Sequence, residues 1–242
     1  MAQTLVYPSF TPSTPGPSRP YFLGRKIGDR QMTAFVLARR AVLGGAAMAL
    51  VGGPFRGGQA ANTGPIAPVE QLMGALLTIM KQGKATPFGR RANELTPAIE
   101  GALDLPTILR LSVGPSWAGL ALAEQNRLLN VFRQYTVATF VENFDSYDGQ
   151  TVTVSPNPRP LSDGAQVVRT EIIPRNGTDP HAIDYVMRRT ADGAWKASDV
   201  LADGTISRVA VLRSDFAAML ARGGAAGLEA SLQQKTAALA SG

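Results

Sequence analysis

The chain contains no cysteine. That excludes disulfides, cysteine nucleophiles, thiolate metal sites and an N-terminal lipid anchor, which needs a thiol to acylate. It holds one histidine, His181, so neither a multi-histidine metal centre nor a histidine relay can be assembled. No metal or cofactor is expected. Charged residues make up only 17% of the 242 positions and hydrophobic ones 45%, the balance of a folded domain rather than of a disordered chain. Long apolar runs are missing too. The best stretch, Ala41 to Gly53, is too short and too rich in glycine and alanine to span a bilayer as a stable helix.

Acidic residues are scarce at one end only. The first 60 residues carry seven basic side chains and a single acid, Asp29, whereas the other 182 hold 17 of each sign and are neutral. The net charge of +6 therefore belongs to the N-terminus. Counterion release gives the main domain no net driving force toward nucleic acid, and no nucleic-acid partner is expected.

Residues 1–31 are rich in proline, serine and threonine, show no periodicity, and read as a non-native upstream extension or a disordered segment. Met32 opens a second start. After it come Arg39 and Arg40, the apolar stretch from Ala41, and "GQA" before Ala61. That order predicts a signal peptide over residues 32–61, cut near Ala60 or Ala61 and read by a twin-arginine or general secretory route. The mature, exported domain is then residues 62–242.

From Pro68, apolar residues Val69, Leu72, Met73, Leu76, Leu77 and Met80 share one helical face, with Gly83 beyond the end. "TPFGRRANELTPAIEGALD" predicts a second helix, with a kink at Pro97. Asp104 is placed to cap "LPTILRLSV", which stops at Gly114. A longer helix is expected from Glu124 to Asn143, carrying Leu128, Phe132, Tyr135 and Thr139 at helical spacing. The period then changes to two. "QTVTVS", "AQVVRTEIIPR", "HAIDYVMRRT" and "AWKASDVLAD" predict about four antiparallel strands, and two closing helices break at Gly223-Gly224. Helices, then a meander, then helices give the α+β class.

Catalytic chemistry is thin. No Ser-His-Asp set or phosphate-cradling glycine loop is present. Asp184, Asp199 and Asp203 lie on or near strands, where two of them could form an acid/base pair. The structural alternative has Asp199 or Asp203 satisfying backbone donors near a turn and Asp184 facing water. Trp117 and Trp195 suit core anchors as well as ligand stackers.

Four segments, "DLPTILRLSVGPSW", "AEQNRLLNVFRQYTVATF", "GAWKASDVLADGTIS" and "RSDFAAMLARGGAAGLEASLQQK", follow in an order and spacing that resemble the MlaC-like family of periplasmic phospholipid carriers, the toluene-tolerance auxiliary proteins. "DGTISRVAVLRSDF" resembles the HpnM branch associated with hopanoid biosynthesis in particular. Phe140 stands where many relatives carry tyrosine. The resemblance implies an NTF2-like α+β fold, a curved sheet wrapped by helices around an apolar lipid pocket. It also implies a monomeric carrier, not an enzyme, that moves phospholipid or hopanoid between an inner-membrane transporter complex and an outer-membrane lipoprotein/porin complex. Matching positions and residue type suggest a lining of Leu105, Ile108, Leu109 and Val113, with Trp117 beside them. Phe132, Tyr135 and Phe140 would come from the long helix, and Val152, Ile172, Tyr185, Met187, Val200 and Leu201 from the sheet. Ile206, Val209 and Phe216 would close the end. Two other readings stay open: an enzyme on an apolar substrate using Asp184, Asp199 or Tyr185, and an interaction module that holds no lipid.

Overall fold

The computed structural model describes residues 64–241, so the expectations for residues 1–61 lie outside the described residues. Four helices come first: α1 (Ile66–Gln82), α2 (Phe88–Ala102), α3 (Leu105–Val113) and α4 (Leu122–Asn143). The strands β1 (Thr151–Val154), β2 (Arg159–Pro160), β3 (Gln166–Ile173), β4 (His181–Arg189), β5 (Trp195–Ala202) and β6 (Ile206–Ser207) follow, and α5 (Arg208–Ala240) closes the chain. The class is α+β as expected. No described helix is long and apolar enough to cross a membrane.

The sheet is antiparallel throughout, in the order β1-β3-β4-β5-β6, with β2 also paired to β3. Four of its strands are the expected ones, and two short ones bring the total to six. β1 and β2 share one edge of β3, Val154 opposite Thr170 and Arg159 opposite Val167. Between them lies "SPNP", whose prolines have no N–H for a ladder, so the edge strand is split. β6 pairs with the end of β5 across the turn at Asp203 and Gly204, both with positive φ. Strands of two residues carry too little alternation to be visible as sequence periodicity.

Along β3, Val168, Thr170 and Ile172 are buried while Arg169 is exposed, as period-two alternation requires. In α1 the buried face is Val69, Leu72, Met73, Leu76, Ile79 and Met80. Leu77 is only half-buried, and Ile79 takes its expected place. α2 runs through Pro97 to Ala102 without interruption. The side chain of Asp104 accepts from the Thr107 N–H at 3.1 Å and so caps α3. α4 begins two residues before Glu124, whose carboxylate reaches back to the Ala121 N–H at 2.9 Å.

The core lies between the sheet and the helices. α4 packs on α5, α2 and α3, which explains why its buried positions spread from Leu128 to Val141 over more than one stripe. The α2–α3 junction is pinned to β5: Leu103 bridges Ala197, and the Asp104 N–H donates to the Ala197 carbonyl at 2.9 Å. Lys196 adds a bond from Nζ to the Glu100 carbonyl at 2.8 Å, a cation on the last turn of α2. Buried Arg91 spans α2 and α4, donating to the Thr86 and Val141 carbonyls. At the other end Arg213 of α5 clamps the Leu111 carbonyl of α3 with Nε at 2.9 Å and Nη2 at 2.7 Å. α3 is thus held by β5 at its start and by α5 at its finish.

Candidate functional site

A small cavity lies where α3, α4, β5 and the first turns of α5 meet. Its volume is about 30 Å³. Five residues expected from the sequence line it: Leu105, Ile108, Phe132, Phe140 and Val200. Sequence reasoning missed Leu103, Thr136, Arg208 and Leu212, and named Thr139 only for the helical stripe and Asp199 only as an acid/base or turn residue. Thr136 and Thr139 follow Phe132 at i+4 and i+7, so the helical period offered a signal that their polarity masked. The Thr139 hydroxyl is spent on its own helix, donating to the Tyr135 carbonyl at 2.8 Å.

The other expected lining residues sit elsewhere. Leu109, Val113, Tyr135, Ile172, Tyr185, Met187, Val209 and Phe216 are buried among core neighbours. Phe216 meets Phe132 edge-to-face with centroids 6.2 Å apart, which ties the wall formed by α5 to that formed by α4. Val152 and Trp117 are half-buried and packed against the core, and Leu201 is half-buried. Ile206 is 54% exposed and lies outside the lining of this cavity. The reason is local: β6 is a two-residue edge strand, and its pairing with Ala202 leaves the Ile206 side chain outside the core. Trp195 is the core anchor expected, buried at the head of β5 with the Arg189 guanidinium 4.9 Å from its ring centroid.

The carboxylates divide sharply. Asp199 accepts from the Val200 N–H at 2.8 Å, the Val209 N–H at 3.0 Å and the Ser207 hydroxyl. Ser207 in turn accepts from the Ala210 N–H and is the N-cap of α5. Both oxygens of Asp199 therefore serve the start of α5, where unpaired N–H groups and the positive end of the helix favour an anion. Asp184 departs from expectation: it does not face water but is 5% exposed. The β5–β6 turn lies over it, so that a Cβ on Gly204 would come 3.4 Å from Asp184 Oδ2. Its charged neighbour is Arg169, with Nε 4.0 Å from Oδ1. Tyr185 is wholly buried, and desolvation pushes its phenol far above the ordinary tyrosine range, so it stays protonated. Among the described residues no cluster of three or more histidines, aspartates and glutamates is placed to hold a metal ion.

The wall of the cavity is almost entirely carbon, supplied by a helix–sheet frame with an apolar pocket at its heart. The family model described as "MlaC protein" matches residues 70–234, about two thirds of the chain. This chain belongs to the MlaC family. Among solved structures, it is similar to a phospholipid-binding protein from Ralstonia solanacearum that was determined in complex with a phospholipid. The TM-score is 0.61 at 22% identity, covering 73% of this chain and 98% of that one. The two share the MlaC fold, a mixed helical and antiparallel architecture around a curved open sheet. In this MlaC-family chain the matched region runs from within α1 to the second half of α5 and contains the whole cavity.

Proposed function

We propose that the protein is an exported lipid carrier that works in the periplasm and holds the acyl chains of a phospholipid. The observation that carries this reading is the apolar cavity, bounded by α3, α4, α5 and β5 within an MlaC-family frame. The phospholipid seen with the Ralstonia solanacearum protein supports it. Each methylene moved from water into such a site contributes about 0.8 kcal/mol, so binding tails needs apolar area and no proton transfer. A cavity of about 30 Å³ has room for roughly one water. A ligand of drug size needs ~300 Å³ or more, so tails are admitted only when α3 and the start of α5 move away from α4.

Export through a signal over residues 32–61 would leave a neutral mature domain, able to approach either membrane without lasting electrostatic capture. In this reading the carrier is a monomer that passes lipid between an inner-membrane transporter complex and an outer-membrane lipoprotein/porin complex. A hopanoid is the alternative cargo, favoured by the "DGTISRVAVLRSDF" segment. The test is uptake of a labelled phospholipid by delipidated protein, with Val200→Glu beside it. Val200 is 5% exposed on the cavity wall, and a carboxylate there has no partner inside. Uptake by the parent and loss of at least tenfold in Val200→Glu are expected. Equal uptake by both would remove the cavity from the account.

A further inference from the structure

We infer that a second site, the open groove between α2, α4 and the end of α5, binds a neutral oligosaccharide that carries acetamido groups. The groove shares no lining residue with the apolar cavity and uses a different face of α4. Its volume is about 540 Å³, inside the ~300–1,000 Å³ typical of small-molecule sites. Two helical rows build it. Phe88, Ala92, Thr96 and Glu100 recur four residues apart along α2, and Asn130, Gln134 and Ala138 do the same along α4. Ala92 and Ala138 keep side-chain bulk out of the space between the rows. Arg133 crosses from α4 to α2 and pairs with Glu100, Nε 3.0 Å from Oε1.

The lining chemistry names the ligand class. Asn93, Asn130 and Gln134 are exposed, and their carboxamides make no hydrogen bond among the described residues. Each offers donors and an acceptor without charge. Thr96 and Thr236 spend their protons on the Ala92 and Leu232 carbonyls of their own helices and keep lone pairs to accept. The charged groups of the lining, Arg133 and Glu100, neutralise each other, so an ionic ligand finds no free counter-charge. A sugar hydroxyl both donates and accepts. An acetamido group sets an N–H close to a C=O, the complement of a side-chain carboxamide. The apolar C–H face of a pyranose ring can rest on the floor, where Phe88 is half-buried and Val137 and Ala138 are buried. An extended peptide gains less, because the walls are helices whose backbone groups are spent internally, and no strand edge is there to pair with it.

The experiment titrates the full chain by calorimetry with N-acetylchitotetraose and with maltotetraose, which has as many rings and no acetamido group. The acetylated sugar should bind with a dissociation constant of about 1 mM or below and be preferred by about fivefold or more, the size of a few neutral hydrogen bonds in an open groove. Asn130→Ala combined with Gln134→Ala should weaken it about tenfold. Ala92→Leu, which fills the floor, should abolish binding. Both variants should leave phospholipid uptake at the parent's level, since neither alters the lining of the apolar cavity. A variant that loses uptake as well has lost its fold, and the other then decides. Failure of the parent to bind the acetylated sugar, or binding unchanged in both variants, overturns the inference and leaves the carrier reading standing. Equal affinity for the two sugars overturns the acetamido assignment, and tighter binding of tetra-alanine would make the groove a peptide site and overturn it too.

Discussion

Asp199 shows how one residue can mimic catalytic chemistry while serving a structural purpose. It lies beside an apolar cavity, in a motif with a tryptophan and a lysine, yet its oxygens close the start of α5. Asp199→Ala should therefore cost about 1–2 kcal/mol of stability, the range for losing a helix cap, as read by chemical denaturation. Asp199→Asn should retain lipid uptake; an enzyme would lose turnover instead. The surface carboxylates behave more simply. The hydrogen bond from Arg188 holds Asp163 below its ordinary 3.8, followed by the Ala165 N–H. A lowered folded value stabilises above the unfolded value, and the contribution is lost as pH falls through the lowered one. Because both side chains are exposed, Arg188→Ala should move the Asp163 titration back up, seen by NMR, with little change in stability at pH 7. At this scale the sequence revealed what periodicity and residue type carry: Asp104 as a cap, and Phe132, Phe140 and Val200 as apolar lining. It did not reveal Thr136 or Arg208, because a polar residue on a carbon wall breaks no rule that a single sequence displays.

Elements tell a related story. The glycine pair near the end of the chain was legible as a break, and the structure locates it at Gly224, where φ is 59° and ψ is −154°. The half before it lines the cavity through Arg208 and Leu212, and the half after it buries Leu228 and Leu232. A side chain at Gly224 is strained in that backbone, so Gly224→Ala should lower stability by about 1 kcal/mol or more. Gly223 has no positive φ, and a methyl group there would meet open space out to 4 Å, so Gly223→Ala should be neutral or mildly stabilising. Paired thermal melts decide this, and equal effects would show that the break is not where the backbone demands it. The strands follow the same logic. Those of four residues or more appear as alternation, whereas β2 and β6 exist only because a long neighbour offers them an edge.

For the molecule as a whole, the separation of charge is the feature that composition conceals. The basic excess lies in the first 60 residues, and the domain that folds around the cavity belongs to the neutral remainder. The family was legible because four segments retain their order across nearly the whole domain. The size of the cavity was not, since core and pocket are built from the same residue types and differ only in how tightly facing elements close. Ligand that binds only the folded state should raise its stability by about 2.7 kcal/mol at one hundred times the dissociation constant, so the melting temperature should climb with added phospholipid. The central claim is that this protein carries lipid, and native material tests it most directly. Protein purified from its own host should yield phospholipid on organic extraction, identified by mass spectrometry. A protein that yields no lipid, and takes up none when it is offered, would contradict the account.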